Sequence, residues 1–413
     1  MTTAAENETL TRVGPGTPMG ELLRRYWWPV GISEDLKRKP TYVRLLGEDL
    51  VLFRDWDGKP GVLAALCSHR QANLCFGTVG QAGLRCRYHG WCYDTAGRVL
   101  DTPGEPRDSR FKETLQHPAY PVQELGGLIF TYLGPQPAPL LPRLDFLVNE
   151  GERYAWVAGV PPCNFLQGVE NGMDPVHVSF LHGDLWADLN EEPDSEFEES
   201  EYGVVYKSYR PGPREDTLNY REHHLIMPGI SVSSASSRLL EASNPNAETA
   251  GGWNAQFDES LVAQGQVQSA RWSVPIDDTH TLMIRVTFKP ASNPARFRSG
   301  AYTGSWTPVV AEPFKEYKDG PKPTLGYELP SAVPTEDASI VCSMGAIVDR
   351  SKEHLMPVSD HGVSILRRVY LEGIETVKAG GDPKGVIRDE AKNQCIPVPC
   401  REIIIPAAAH AGR

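Results

Sequence analysis

The sequence lacks any apolar run that approaches the roughly 20 residues of a membrane-spanning helix. Residues 1–8 also lack the basic and apolar regions of a signal peptide. Positive charge is in deficit, because 41 Lys and Arg against 53 Asp and Glu give a net charge of −12. That charge repels nucleic-acid phosphates and anionic lipids. These absences predict a cytoplasmic protein that binds neither a membrane nor nucleic acid.

A nucleotide-binding glycine loop and internal repeats are absent as well. The glycines of residues 14–16 do not follow a strand-like segment, as those of a dinucleotide fingerprint would. Cysteine is sparse, with eight in 413 residues, and in a large cytosolic chain it favours metal ligands or buried thiols over disulfides. The length exceeds the usual limit for one hydrophobic core, so we expect two domains.

The first third of the chain has the pattern of a small β domain. Short apolar segments separated by turn residues begin at residue 43 and predict such a domain over residues 41–135. Residues 22–30 are typical of a short helix, so residues 1–40 are predicted to be a helical segment. The proline-rich stretch 134–139 indicates a semi-rigid linker, which leaves residues 136–413 for a second domain.

The second domain mixes strand and helix signals. A helix over residues 359–380 is the clearest, with an apolar stripe, Ser359 or Asp360 as its first cap and Gly380 at its end. A hairpin is expected about Asp277 and Asp278, and the acidic residues 190–201 are expected to form an exposed loop. Further strands are predicted over residues 153–164, 203–210 and 220–227.

Two short motifs in the β domain contain one cysteine and one histidine each. They read Cys67-Ser-His69 and Cys86-Arg-Tyr-His89. Such a set can hold a structural zinc. It can also hold a [2Fe–2S] cluster with two thiolates on one iron and two imidazoles on the other, the Rieske arrangement. Zinc fingers usually pair Cys with Cys and His with His, so one of each in both loops favours the Rieske cluster.

A second metal motif lies in residues 171–182, which place Asp174, His177 and His182 within twelve residues. Two imidazoles and one carboxylate from elsewhere make the facial triad of non-haem Fe(II) oxygenases. Asp174 is three residues before His177, so it can hold the second nitrogen of that ring. His182 follows by five residues, and therefore the helix must end or distort near Ser179. The same segment is also compatible with a plain core helix in which Asp174 is the N-cap.

With both motifs, the chain resembles the catalytic (alpha) subunit of Rieske non-haem iron aromatic-ring oxygenases over almost its whole length. Residues 14–20, 44–50 and 343–355 are similar to the phthalate dioxygenase and aryl O-demethylase branch. The resemblance implies an α+β fold. A small all-β Rieske domain would be followed by a catalytic domain with a helix-grip (START-like) antiparallel sheet, on which residues 1–40 pack.

The resemblance also implies roles for individual residues. Asp337, in the pair Glu336-Asp337, would complete the iron site, with Asp349 and Asp360 as alternatives. Asn171 and Asp174 would be catalytic, with Asp174 bridging His177 to His89 of the adjacent subunit in a head-to-tail trimer. The cluster ligands would be Cys67, His69, Cys86 and His89, and the iron ligands would be His177, His182 and Asp337.

The implied activity is that of a terminal oxygenase that oxidises an aromatic substrate with O2. Electrons would come from NAD(P)H through a separate reductase or ferredoxin. General likeness favours O-demethylation of a bulky, lignin-derived methoxy-aromatic acid over cis-dihydroxylation of a phthalate-type carboxylate. A rival of another class is an electron carrier or zinc-stabilised module that binds an apolar ligand. Candidate substrate residues are Arg210, Arg221, His223 and His224.

Overall fold

The computed structural model describes residues 2–182, 189–234, 266–293 and 333–410, with side chains described from residue 336 in the last range. None of the described helices is both long and apolar enough to cross a bilayer. The described helices are α1 (Ala4–Thr11), α2 (Pro18–Leu23), α3 (Asp145–Val148), α4 (Phe165–Asn171), α5 (His177–Leu181), α6 (Val333–Ser343) and α7 (His361–Lys378).

The first part of the chain forms three small antiparallel sheets, with the orders β1-β11-β10, β2-β3-β4-β9 and β5-β6-β7-β8. The strands are β1 (Trp27–Ile32), β2 (Thr41–Leu45), β3 (Glu48–Arg54), β4 (Pro60–Ala64), β5 (Thr78–Gly80), β6 (Gly83–Arg85), β7 (Cys92–Tyr93), β8 (Val99–Asp101), β9 (Ala119–Tyr120), β10 (Val122–Leu125) and β11 (Leu128–Tyr132).

Strand β3 separates two hydrophobic cores. Leu50 and Leu52 point to the main core, whereas Val51 and Phe53 point to a smaller core around the loops of Cys67 and Cys86. This division follows from the strand period of two, which sends neighbouring side chains to opposite faces. The continuous apolar run of β3 is therefore explained by burial on both faces.

The rest of the chain is built on an antiparallel sheet of eight described strands. Seven follow in the order β12-β18-β17-β16-β15-β14-β13, and β19 pairs with β15. They are β12 (Gly151–Gly159), β13 (Asp194–Glu199), β14 (Gly203–Pro211), β15 (Thr217–Ile226), β16 (Ile230–Ser234), β17 (Gln268–Asp277), β18 (His280–Pro290) and β19 (Arg401–Pro406).

The two faces of this sheet have different partners. On one face Trp272 packs against Phe130 of β11 and Phe146 of α3, at centroid distances of 6.3 and 6.0 Å. On the other face α4 packs on β17 and α7 packs on β14. The α+β fold, with a large antiparallel sheet that holds helices on one face, is confirmed.

A buried ionic cluster fixes α4 against the later helices. Glu170 accepts hydrogen bonds from Arg350, at 2.7 Å, and from Arg367 of α7, also at 2.7 Å. Burial opposes ionisation of Glu170, but the two guanidinium groups outweigh it and lower the pKa. Removing one partner of such a buried pair typically costs about 3–5 kcal/mol. The cluster therefore sets the position of the next residue, Asn171.

Three of the predicted elements are wrong or misplaced. The helix over residues 22–30 is replaced by α2 and by β1, because Trp27 to Ile32 pair with β11. The acidic loop over residues 190–201 contains the edge strand β13, which pairs with β14 along its whole length. The strand predicted over residues 153–164 ends at Gly159, and Asn164 instead caps α4 by accepting from the backbone of Leu166.

Other predicted elements are confirmed. The helix over residues 359–380 is α7, and Gly380 follows it with a φ of +82°, a conformation that favours glycine. Asp360 precedes α7, but its carboxylate accepts from the backbone of Met356 instead of capping the helix. The hairpin is formed by β17 and β18, with Asp277 opposite His280.

Candidate active site

The two Cys/His motifs form a pair of facing loops, one after β4 and one after β6. Cys67 and Cys86 are buried, whereas His69 is exposed and His89 is partly buried. The two imidazole rings face each other edge to face, with centroids 4.5 Å apart. Two buried sulfurs and two imidazoles nearer the surface suit a Rieske cluster, in which the thiolates bind one iron and the imidazoles the other.

Neighbouring aromatic side chains support these loops. The Tyr93 hydroxyl lies 2.9 Å from Cys67 Sγ, and Trp91 stacks on His69 at 4.8 Å with nearly parallel planes. Gly90, with a φ of +76°, donates its N–H to the carbonyl of Cys86 and so closes the second loop. Burial raises the pKa of the Cys67 thiol.

The spacing of the four donors argues against zinc. A tetrahedral zinc with bonds of about 2.0–2.3 Å holds its ligand atoms within roughly 4 Å of one another. Within the described ranges, the one group of three or more potential ligand atoms that all lie within 4.8 Å of one another is His177, His182 and Asp337. No three of the four loop donors meet this limit, which fits ligands divided between the two irons of a cluster.

The second centre lies between α5 and α6. Asp337 Oδ1 is 3.0 Å from Nε2 of His182 and 3.6 Å from Nε2 of His177. Helix α5 ends at Leu181 and His182 occupies the C-cap, with φ −114° and ψ 2°. The predicted helix end is thus confirmed, and it turns the His182 ring back toward His177. Two Nε2 atoms and a carboxylate that converge in a buried position suit a divalent iron.

Carboxylates stand near the second nitrogen of both rings. Glu336 Oε2 accepts from His182 Nδ1 at 2.7 Å, which leaves Nε2 of that ring facing Asp337. Asp174 Oδ2 is 3.7 Å from His177 Nδ1, beyond hydrogen-bond range, while its Oδ1 accepts from the backbone N–H groups of Val176 and His177. Asp174 therefore holds the turn that leads into α5, whose N-cap position is Val176, and it is also a neighbour of the ring.

The electrostatics of this centre depend on Asp337. Burial opposes its ionisation, but hydrogen bonding to His182 and the charges of His177 and Arg271 lower its pKa to about 2. Burial lowers the pKa of His177. Burial also disfavours a charged His182, yet Asp337 and Glu336 outweigh it and raise that pKa. The site thus holds an ionised carboxylate ready for a cation.

One residue of α4 and one of β17 complete the surroundings of Asp337. Asn171, at the end of α4, places its Nδ2 3.5 Å from Asp337 Oδ1. Arg271 of β17 donates to the carbonyl of Gly168 at 3.0 Å and lies 3.8 Å from Asp337 Oδ2. Sequence reasoning missed Arg271 and Glu336. The adjacency of Glu336 to Asp337 was a usable signal, whereas nothing in the sequence brings Arg271 to this helix face.

The four substrate candidates have different surroundings. Arg210 is buried and donates to the carbonyl of Pro175 at 2.7 Å, so it holds the start of α5. Arg221 lies 3.6 Å from Glu402, and His223 Nδ1 lies 2.7 Å from the Tyr206 hydroxyl. His224 pairs with Glu222 at 3.1 Å. As the neighbour of His223 in one strand, it points to the opposite face of the sheet, away from the iron centre.

The alternative carboxylates lie outside this centre. Asp349 caps a short 3-10 turn by accepting from Ser351 and pairs with Lys352 at 2.9 Å. Asp360 accepts from the backbone of Met356 at 2.7 Å. Each of these aspartates already has a local structural partner, and neither is grouped with the two histidines.

Comparisons with known proteins agree with both centres. A family model for the Rieske [2Fe-2S] domain matches residues 26–121. The chain is 36% identical to the 5,5'-dehydrodivanillate O-demethylase oxygenase subunit of Sphingobium sp. (strain NBRC 103272 / SYK-6), over 97% of this chain and 87% of that protein. It belongs to the Rieske non-haem iron oxygenases. It is also 34% identical to the phenoxybenzoate dioxygenase subunit alpha of Ectopseudomonas oleovorans, over 92% of this chain and 88% of that protein.

The fold of this Rieske oxygenase subunit matches solved members of the family. The carbazole-bound oxygenase in the ferredoxin complex of carbazole 1,9a-dioxygenase superposes with a TM-score of 0.58 at 19% identity, over 95% of this chain and 97% of that chain. The family assignment makes the chain an oxidoreductase with a [2Fe–2S] cluster and a mononuclear iron. When bound, the cluster supplies single electrons and the iron supplies open coordination positions for dioxygen.

Proposed function

We propose that this Rieske oxygenase removes a methyl group from a bulky, lignin-derived methoxy-aromatic acid. The likeness to the 5,5'-dehydrodivanillate O-demethylase subunit, at 36% identity over 97% of the chain, carries the choice of reaction. Hydroxylation of a methoxy carbon gives a hemiacetal, which loses formaldehyde and leaves a phenol. The rival outcome for the same centre is cis-dihydroxylation of a phthalate-type carboxylate.

The proposal assigns the metal ligands by geometry and charge. Cys67, His69, Cys86 and His89 would hold the cluster, since their thiols are buried and their rings are at the rim. His177, His182 and Asp337 would hold the mononuclear iron, since their ligand atoms lie within 4.8 Å of one another. Asn171 would steady Asp337 through its amide.

The electron route is proposed to run between subunits of a head-to-tail homotrimer. Exposed apolar side chains occur near the cluster, at Leu66, Phe76 and Tyr88, and again on the iron-binding part, at Phe180 and Met356. Exposed apolar surface of this kind is typical of contact regions. Closure of such a ring would bring the cluster rim of one subunit to Asp174 of the next.

Reducing equivalents are proposed to come from NAD(P)H through a separate reductase or ferredoxin. The solved oxygenase described above is in complex with a ferredoxin, which supports a protein donor for this chain. The sequence has no nucleotide-binding glycine loop after a strand, so a nicotinamide would bind elsewhere in the system.

The reaction is tested by product analysis with the holoenzyme and a surrogate reductase. With 5,5'-dehydrodivanillate we expect one formaldehyde per NADH consumed, together with the singly demethylated product. Phthalate serves as the comparison substrate in the same assay. A cis-dihydrodiol from phthalate, with no formaldehyde from any methoxy-aromatic acid, would establish the dihydroxylase instead.

The cluster assignment makes a separate prediction. His69→Ala or His89→Ala should abolish the Rieske absorption, because imidazole ligation to one iron sets the spectrum and the raised potential. Mononuclear iron should stay bound, since its ligands belong to another part of the fold. Absorption and iron content of the purified variants measure both effects. Cys75→Ser is the matched control and should keep the native spectrum; an unchanged spectrum in both histidine variants would remove the assignment.

A further inference from the structure

Two arginines stand side by side on the sheet face that carries the iron centre. Arg271 of β17 and Arg285 of β18 are cross-strand partners, so their side chains leave the sheet in the same direction. Arg271 reaches α4 and Asp337 on that face. Arg285 is therefore directed toward the space beside the iron centre as well.

Among the described residues, Arg285 has no carboxylate of its own as a counter-ion. Its Nε is shielded from solvent and has no hydrogen-bond partner among the described residues. Burial, with the nearby charge of Arg271, lowers the pKa of Arg285 to about 10, and Asp337 offsets this effect only in part. Asp337 is already engaged by two imidazoles and Arg271. The guanidinium groups of Arg271 and Arg285 therefore have one nearby carboxylate between them, Asp337, which already contacts the two imidazoles.

A hydroxyl completes the same surface. Thr287 lies two residues beyond Arg285 on β18, so it faces the same side of the sheet. It is 1% exposed, and its Oγ1 has no hydrogen-bond partner in the part of the chain that the structure describes. A buried donor left unpaired costs about 1–3 kcal/mol, which a ligand oxygen would recover.

We propose that Arg285 and Thr287, with Arg271 beside them, form the subsite that binds the carboxylate of the aromatic substrate. This inference rests on the proposed function, which makes the substrate an aromatic acid, and it assigns the anion-binding group that the acid requires. A guanidinium presents two parallel N–H groups to a carboxylate, and the Thr287 hydroxyl can donate a third bond. The negative charge of the bound carboxylate would also reduce the repulsion between the guanidinium groups of Arg271 and Arg285.

Two other buried arginines on this face of the sheet are less suitable as binding groups for the substrate carboxylate. Arg210 uses its guanidinium on the carbonyls of Pro175 and Glu191. Arg221 stands 3.6 Å from Glu402, whose carboxylate already supplies a negative charge. An anionic ligand at either position would have to displace an existing partner, whereas at Arg285 it would supply the missing one.

The subsite is tested by calorimetric binding of 3-methoxybenzoate and of its neutral counterpart, 3-methoxybenzamide, to the holoenzyme. The wild-type protein should bind the acid more tightly than the amide. In Arg285→Met, the Kd of the acid should rise about 10- to 100-fold, the range for losing a charge-assisted hydrogen bond. The Kd of the amide should change less than about threefold, as expected where no such bond is lost. Arg285→Lys keeps the positive charge, so its Kd for the acid should rise less than that of Arg285→Met.

The matched control is Arg401→Met, which removes one positive charge from an exposed position of the same sheet, opposite Glu222. It should leave both dissociation constants unchanged. Equal binding of acid and amide by the wild-type protein, or an acid preference that survives in Arg285→Met, would overturn the subsite. An equal loss for both ligands would show that Arg285 only supports the cavity, and would overturn it too. Acid-selective binding without formaldehyde release would instead count against the proposed reaction alone.

Discussion

Asp337→Ala is expected to yield protein that contains the Rieske cluster but no mononuclear iron, and oxygen uptake should fall below detection. The reason is geometric, because Asp337 supplies the carboxylate that both Nε2 atoms face, at 3.0 and 3.6 Å. Loss of a carboxylate that only orients a metal ligand weakens metal binding by about 10–100-fold, and loss of the ligand itself should exceed this range. Iron analysis and the cluster absorption of the same sample measure the two centres separately.

Asp349→Ala and Asp360→Ala are the controls for this prediction. Both aspartates engage local backbone or side-chain groups, so their removal should leave both iron centres loaded. Full iron retention in Asp337→Ala, with loss of iron from one of the other two variants, would transfer the ligand role to that residue. His177→Ala and His182→Ala should behave as Asp337→Ala does.

Site residues that are close together in the sequence could be predicted from its local pattern. Site residues that are far apart in the sequence could not be predicted from that pattern. His177 and His182 lie within six residues of each other, so helix geometry alone required a break between them. Asp337 is 155 residues beyond His182, and only resemblance to a family indicated it. No periodicity links positions so far apart, since the fold of the intervening sheet brings them together.

Strand register decided which of the remaining polar residues face the iron. His223 and His224 are neighbours in sequence, but the period of two sends them to opposite faces of β15. The same rule puts Arg271 and Arg285 on one face through the pairing of β17 with β18. Register across two strands is a tertiary property, and for this reason the sequence alone neither separates His223 from His224 nor brings Arg271 beside Arg285.

Competing local patterns explain the misplaced elements. The apolar run around Trp27 and Trp28 is compatible with a helix, but pairing with β11 buries both rings in a strand. The acidic residues of β13 are typical of a loop, yet acidic side chains are also well tolerated on an edge strand, where they discourage pairing with other chains. In both cases pairing with a distant strand outweighed the local preference.

Asp174→Asn is expected to leave both iron centres loaded and the proposed trimer intact, while electron transfer from the cluster to the mononuclear iron slows by orders of magnitude. The fold should tolerate the change because Asp174 Oδ1 accepts from the backbone N–H groups of Val176 and His177. An asparagine carbonyl oxygen can accept the same two bonds. The turn that leads into α5, and with it the position of His177, is therefore preserved.

The second oxygen of Asp174 is the one that the substitution removes. Oδ2 faces His177 Nδ1 at 3.7 Å, and in the proposed trimer it would also accept from His89 of the adjacent subunit. Each ring, if it binds its metal through one nitrogen, presents an N–H on the other nitrogen. The amide NH2 that replaces Oδ2 in Asp174→Asn is itself a donor, so it could accept a hydrogen bond from neither ring. The hydrogen-bonded bridge between His89 of one subunit and His177 of the next should therefore be lost, although each centre keeps all of its own ligands.

Single-turnover oxidation of the reduced cluster by O2, followed by its absorbance, measures this rate directly. Glu336→Gln is the matched control, because Glu336 holds His182 within one subunit and touches no cluster ligand among the described residues. It should weaken iron binding by about 10–100-fold, as expected for a carboxylate that orients a metal ligand. Once reloaded with iron, it should transfer electrons at the wild-type rate. A wild-type rate in Asp174→Asn would leave Asp174 with only its role in the turn before α5, and would require another path between the centres.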